Sequence, residues 1–332
     1  MSTFNALRVH QVEKATQSRI EPVSLADLSA GEVVIRVAYS SVNYKDALAV
    51  SGKGRIMKGF PKVAGIDLSG VVESSSDAKY QAGDKALVTG CNIGEALDGG
   101  FAQFARVPAS AVIALPAGLT LKDAMAIGTA GFTAALALRR MLENHQAPEM
   151  GPIAVTGPTG GVGSVAIDLF KRAGFTVHAV TGKAGAADEY LKALGADQIV
   201  SRQALAMGKK PLEAGLWGGA VDNLGGETLA WLTRTVKPWG NIASIGLAQS
   251  HELATTVMPF ILRGVSLLGI HSVECPRAWR EDIWKHLASD WKPRHLSRIA
   301  AREIALEEVK GYCDEVIAGK VTGRAVVRIG GG

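Results

Sequence analysis

A short apolar run, Ile153–Thr156, leads directly into Gly157, Pro158, Thr159, Gly160, Gly161, Val162 and Gly163, and then into an amphipathic stretch. Strand, glycine-rich turn and helix in that order suit the pyrophosphate of a dinucleotide. Gly160 lets the backbone approach the phosphates, and Gly163 lets the helix pack closely on the strand. The helix N-terminus offers free N–H groups and the positive end of its dipole. Pro158 stands where the first fingerprint glycine is expected and removes one N–H from the turn. The same glycines would also serve an ordinary strand–helix turn, so the flanking elements carry the argument for a cofactor.

The next strand bears on which cofactor. Val177–Val180 runs into Thr181, Gly182 and Lys183. A site for NAD places Asp or Glu at this point, to accept from the ribose hydroxyls. No acid is present here. Thr181 can donate a hydrogen bond, Lys183 can neutralise a 2′-phosphate, and Arg202, just after the third strand, can add a second cation. Each cation alone reads as a solvated surface residue; with the acid missing they point to NADPH. No metal site is expected. The chain has no HExxH and no CxxC, and its seven histidines show no ligand spacing. Asn43 and Asp46 suit either a turn or a site. Arg324, after Gly323 in a final strand, faces either a substrate or solvent.

The elements that must hold these residues fall into two textures. The first 120 residues read as short strands punctuated by glycine: Val33–Tyr39, Asp67–Glu73, Lys85–Thr89 and Phe101–Val107. From about residue 121 come helices over 121–127 and 132–142. Strands and helices then alternate: strand 153–156, helix 162–173, strand 176–180, helix 187–194, strands 198–200 and 220–222, helix 227–235, and strands 241–245 and 266–270. Alternation of this kind predicts a parallel sheet covered by helices on both faces. Helices over 278–287 and 306–318 and a strand over 324–329 form a tail that returns to the first domain.

Composition supports a globular protein with a large core and excludes several classes. Of 332 residues, 47% are hydrophobic and 20% charged, which is enough for a large core and argues against disorder. The net charge of +5 is spread without a basic run, so it suits a phosphorylated small ligand better than nucleic acid. No stretch reads as a membrane span; the longest apolar candidate is Ala124–Leu138. The N-terminus shows no secretory signal, and three scattered cysteines, Cys91, Cys275 and Cys313, form no disulfide framework. A reducing cytoplasm is the expected compartment.

Taken together, the order of β domain, fingerprint, α/β domain and returning tail resembles the medium-chain dehydrogenase/reductase superfamily over essentially the whole chain. Ser41–Asp46, Gly65–Asp67, Gly128–Thr133, Gly160–Gly163 and Thr255–Arg263 narrow the resemblance. These segments are similar to the zinc-independent acrylyl-CoA reductase group, the AcuI/YhdH type often labelled quinone oxidoreductases. The resemblance implies a β-rich GroES-like catalytic domain over 1–124, a Rossmann-type doubly wound NADP-binding domain over 125–271, and a C-terminal segment over 272–332 returning to the catalytic domain. Where zinc-dependent relatives carry a ligand Cys, this chain has Asn43. Where they carry Gly-His-Glu, it has Gly65, Ile66 and Asp67. The four-Cys structural lobe cannot form from three cysteines.

The implied activity is NADPH-dependent reduction of acrylyl-CoA to propionyl-CoA. Quinone reduction, or a non-catalytic NADPH-binding role, are the alternatives. By the resemblance, Tyr44 lies beside the nicotinamide and, with Asn43, belongs to the catalytic site. Thr159, Gly160, Gly161 and Val162 contact the pyrophosphate, and Thr181, Gly182, Lys183 and Arg202 hold the 2′-phosphate. Leu247, Ile261 and Ser272 line the rest of the cofactor groove, and Asn223 lies near it. Arg324 is the candidate for the substrate's CoA phosphates. The chain departs from the group at Pro158-Thr159, where Ala-Ser is usual, and at Lys183, where Arg is common; a point charge then replaces a guanidinium fork. The resemblance also implies a homodimer with neither a nucleic-acid nor a membrane partner.

Overall fold

A computed structural model describes residues 3–13 and 15–330. By its internal contacts the chain divides into two units: Met1–Thr129 with Ser272–Ser289 and Leu296–Gly332, and Ala130–His271 with Asp290–His295.

The first unit opens with strands β1 (Phe4–Val12), β2 (Ala15–Val23) and β3 (Val33–Ser41), helix α1 (Tyr44–Ser51) and strands β4 (Lys62–Val63), β5 (Asp67–Ser75), β6 (Lys85–Thr89), β7 (Phe104–Val107) and β8 (Ile113–Ala114). In β3, Val33, Ile35 and Val37 point inward while Arg36 stays exposed, the period-two pattern of a strand with one covered face. Their side chains pack on Leu68, Val72, Val88 and Ile93. Burying each such aliphatic contributes roughly 1.5–3 kcal/mol.

Helix α2 (Leu121–Glu143) follows. It joins the two helices expected over 121–127 and 132–142 and is broken between them at Gly128, whose backbone is not helical (φ 52°, ψ −164°). By length and composition α2 could cross a membrane, which the sequence reading did not anticipate, but 78% of its apolar window is buried inside the fold.

The second unit holds β9 (Ile153–Thr156), α3 (Gly161–Arg172), β10 (Val177–Thr181), α4 (Asp188–Ala193), β11 (Gln198–Ser201), β12 (Gly219–Asp222), α5 (Gly226–Thr235), β13 (Asn241–Ser244), α6 (Met258–Arg263) and β14 (Ser266–Gly269). The six strands are parallel and ordered β11-β10-β9-β12-β13-β14. This is the doubly wound dinucleotide order, with its switch point between β9 and β12. All four residues of β9 and of β12 are buried, because helices cover both faces of a parallel sheet.

The tail contains α7 (Arg277–Leu287), α8 (Leu296–Ile299), β15 (Arg302–Ala305), α9 (Val309–Ile317) and β16 (Ala325–Arg328). β16 pairs antiparallel with β3, and β15 lies parallel to β16, so the tail extends the first unit's sheet as β15-β16-β3-β5-β6-β8, with β7 also on β3. The stretch Asp290–His295 belongs instead to the second unit. There Asp168 of α3 accepts from the His295 N–H at 2.7 Å and the Arg294 N–H at 3.2 Å.

Several elements differ from the expectation. β1, β2, α1, β4, β8, α6, α8 and β15 have no counterpart in it. β2 is half exposed along its length and rich in polar residues, so it carries little hydrophobic signal. Phe101 lies outside β7 and is fully buried in an irregular segment. The helix expected over 306–318 is a single 3-10 turn followed by α9.

Candidate active site and cofactor-binding residues

In the first unit the site is built where β3 ends. Asn43 caps α1, and Tyr44 is the first residue of that helix. Asp46 closes the cap by accepting from the Asn43 N–H at 2.8 Å. It also accepts from the Ile66 N–H at 2.9 Å, which ties the helix start to the bend just before β5. Tyr44 itself is 45% exposed.

Behind this helix start lies a buried polar cluster. Asp67 accepts from the Ser41 hydroxyl at 2.7 Å, the Asn43 amide at 2.8 Å, and the Thr129 N–H and hydroxyl at 2.9 and 2.5 Å. Arg324 places Nη2 3.8 Å from the same carboxylate and donates to the Ser41 hydroxyl at 2.8 Å and to the Ile127 carbonyl at 2.7 Å. Gly128 makes room for the cluster. A Cβ there would stand within 2.8 Å of Arg324 Nη2, Asp67 Oδ2 and Ser41 Oγ, at a φ that also favours glycine.

Two carboxylates and one guanidinium therefore share a site that water does not reach. Burial, and then the nearby Asp67 charge, push the Asp46 carboxyl up to about 7. Burial also lowers the Arg324 pKa, opposed by Asp67.

The cluster corrects the expectation for Arg324. Its side chain is 1% exposed and lies before β16 instead of within it. It neither faces solvent nor is free to meet the phosphates of a large substrate; it neutralises Asp67. Asn43 is similarly occupied. Its Nδ2 donates to Asp67 and, at 3.2 Å, to Asp46, while its Oδ1 accepts from Arg324 at 3.4 Å. Asn43 thus fixes the start of α1 and leaves Tyr44 as the exposed polar side chain of that turn. Ser41 and Thr129 were missed as partners because a lone hydroxyl carries no motif.

In the second unit the turn after β9 has the form a phosphate needs. A Cβ on Gly163 would sit 2.4 Å from the Gly157 carbonyl, so this residue packs helix on strand. A Cβ on Gly160 would meet only the Gly157 carbonyl, at 3.4 Å, and is otherwise open. Gly161 and Val162 open α3, where helix N–H groups lack intrahelical partners. Thr159 is largely buried. Pro158 keeps its carbonyl engaged by the Ser164 hydroxyl at 3.1 Å, and Tyr190 donates to that hydroxyl at 2.9 Å. The turn keeps its shape despite the lost N–H.

At the end of β10 the Thr181 hydroxyl accepts from the Lys183 N–H at 3.0 Å, leaving its own proton to donate. The Arg202 guanidinium lies over Gly182, with Nη2 3.4 Å from where a Cβ would be. Gln203, which the sequence reading missed, donates to the Gly182 carbonyl at 3.1 Å and braces the same turn. Burial lowers the pKa of the Lys183 amine. These residues fit the 2′-phosphate of NADPH: one cation lies over a glycine, a second follows it in the chain, and no carboxylate stands at the end of the strand.

Asn223 donates to the Thr156 carbonyl at 2.7 Å and so holds the end of β9. Leu247, after β13, and Ile261, on α6, are 59% and 71% exposed in this unit. Ser272 belongs to the first unit, where its carbonyl accepts from Arg280.

Two family profiles match the chain: the alcohol dehydrogenase GroES-like domain over residues 29–117, and the zinc-binding dehydrogenase domain over residues 161–289. The acrylyl-CoA reductase AcuI of Ruegeria pomeroyi is 44% identical over 98% of this chain and 99% of its own length. YhfP of Bacillus subtilis, provisionally named a quinone oxidoreductase, is 43% identical over 99% of this chain and all of its own; its crystal structure with NAD bound has a TM-score of 0.95. The yhdH oxidoreductase of Salmonella enterica, solved with NADP, is 42% identical, with a TM-score of 0.95 over 98% of this chain and 100% of that one.

Proposed function

Because the chain belongs to the AcuI/YhdH-type acrylyl-CoA reductases of the medium-chain dehydrogenase/reductase superfamily, we propose that it reduces acrylyl-CoA to propionyl-CoA with NADPH. The observation that carries the cofactor half is the Arg202 guanidinium over Gly182, with Lys183 next in the chain, where an NAD site would hold an acid. NADPH, when bound, supplies a hydride to carbon 3 of the enoyl thioester, which the carbonyl makes electrophilic. The negative charge that then develops on the thioester oxygen is stabilised by hydrogen-bond donors in a dry site. Tyr44 is the proposed donor, as an exposed phenol held at the first turn of α1 by Asn43 and Asp46. The same phenol delivers the proton to carbon 2.

Zinc has no place in this proposal. At the positions where zinc-dependent relatives carry ligands, Ile66 offers no lone pair. The Asp67 carboxylate is filled by hydroxyl and amide donors beside a buried guanidinium. Such a donor set does not fit a zinc ion.

The test is kcat/KM for acrylyl-CoA, crotonyl-CoA and a benzoquinone on one preparation, with and without prolonged chelation. Acrylyl-CoA is expected to be the best substrate and chelation to leave the rate unchanged. A quinone preferred by a wide margin overturns the reductase assignment, and a stoichiometric zinc needed for turnover overturns the metal-free site. Tyr44→Phe should lower acrylyl-CoA turnover about a hundredfold, within the range for a lost general acid.

We further propose a homodimer in the cytoplasm. β14 ends the six-stranded sheet, and Trp239, Val257 and Leu262, all in this unit, are at least 60% exposed. Exposed apolar side chains that form one patch mark an interaction surface. Light scattering should find two chains per particle, and Leu262→Asp should leave one; a monomeric wild type at micromolar concentration refutes the assembly. The three free thiols suit a reducing compartment.

A further inference from the structure

At the carboxyl end of β12 is a fully buried acid that the proposed chemistry does not use. Asp222 is 0% exposed. Its Oδ1 accepts from the Thr156 hydroxyl at 2.8 Å, and its Oδ2 accepts from the Gly225 N–H at 2.8 Å. With its proton committed to Asp222, the Thr156 hydroxyl accepts from the Asn223 N–H at 2.9 Å, while the Asn223 amide donates to the Thr156 carbonyl at 2.7 Å. The last residue of β9 is thus held at both hydroxyl and carbonyl by the turn that leaves β12.

The consequence falls on the next residue. Gly157 follows Thr156 with φ 56°, and a Cβ there would lie 3.3 Å from Asn223 Cβ. The backbone of the glycine-rich turn therefore rests on the residue that Thr156 anchors. The Asp222 carbonyl also accepts from the Ile245 and Gly246 N–H groups at 2.9 and 3.2 Å, so the loop carrying Leu247 hangs from the same position. Three loops at the switch point of the sheet converge on one side chain and its backbone. In doubly wound sheets the ligand lies against this edge.

We propose that Asp222 is a positioning residue for the cofactor: its carboxylate, through Thr156 and Gly225, sets the turn that presents Gly160 to the pyrophosphate. The inference rests on the reading that the second unit binds NADPH. Both carboxylate oxygens accept here. Asparagine can keep its oxygen on the Gly225 N–H but then donates to the Thr156 oxygen, so the contact reverses and the Thr156 proton loses its acceptor. Burial disfavours the charged form of Asp222. An acid held there against its own solvation fits a geometric duty better than a contribution to stability.

The experiment uses the full-length protein and reads direct NADPH binding by fluorescence titration, KM and kcat at saturating NADPH, and thermal unfolding. Asp222→Asn and Thr156→Val should each raise the NADPH Kd and KM about tenfold, with kcat at saturation within about threefold of wild type. Thr156→Ser, which keeps the hydroxyl, should bind within about twofold. If Asp222→Asn does not fold, Thr156→Val against Thr156→Ser decides. A lowered melting temperature in the variants with NADPH affinity unchanged would make Asp222 merely structural and overturn the inference. A wild type that fails to bind NADPH at all would instead overturn the functional reading, together with the inference built on it.

Discussion

Arg324→Met is expected to destabilise the protein by about 3–5 kcal/mol, the cost of leaving one member of a buried ion pair without its partner. The guanidinium is the cation of the cluster that holds Asp67 and Asp46, and its side chain is 1% exposed. Methionine fills much of the volume but leaves the Asp67 carboxylate facing Asp46 with no compensating charge, and it removes the donors that Ser41 and the Ile127 carbonyl use. Chemical denaturation at neutral pH measures the loss. Adding Asp67→Asn to Arg324→Met should recover part of the stability, because the uncompensated charge is then gone; double-mutant coupling of this kind separates the pair from the packing. A loss below about 1 kcal/mol would mean that Arg324 fills space and balances no charge. Activity should fall as well, since the same cluster anchors the Asn43 cap that places Tyr44.

The second large effect is on cofactor choice. Lys183→Ala should raise the KM for NADPH by roughly ten- to a hundredfold and leave that for NADH nearly unchanged, because a charge-assisted contact is worth about 1.5–3 kcal/mol. Arg202→Ala should act in the same direction, and the double variant should approach equal use of the two cofactors. Lys183 has its pKa lowered by burial, so an arriving phosphate restores what desolvation removes and the contact gains accordingly. Steady-state kinetics with both cofactors decide the matter. Equal changes in the two KM values would show that Lys183 does not meet the 2′-phosphate. The comparison is sharpened by YhfP, whose structure was solved with NAD although the chains are 41% identical in that alignment.

The cofactor half of this protein was legible in the sequence because its determinants are local. Ile153–Gly163 is contiguous, and a strand, a turn and a helix N-terminus follow from residue order alone. Thr181, Gly182 and Lys183 end a strand whose apolar run marks it. The parallel sheet was legible for the same reason, since strand and helix patterns alternate along residues 153–270 and each is read from its neighbours in sequence. Weakly patterned elements were not: β2 is polar and half exposed, and its pairing with β1 is specified by a partner more than by its own residues.

Charge burial was decided by the tertiary structure alone. Arg324, read by itself, is a strand arginine that belongs in water. It becomes a buried cation because the returning tail brings it to Asp67, Ser41 and Asn43 from the other end of the chain. Gly128, read as a residue between two helices, is a glycine because that cluster occupies the space a Cβ would need. Asp222 gives no sign in its own neighbourhood of the Thr156 hydroxyl it holds. A residue's propensity and periodicity depend on its neighbours in sequence, whereas the free energy of a buried charge depends on partners that only the fold brings within hydrogen-bonding distance.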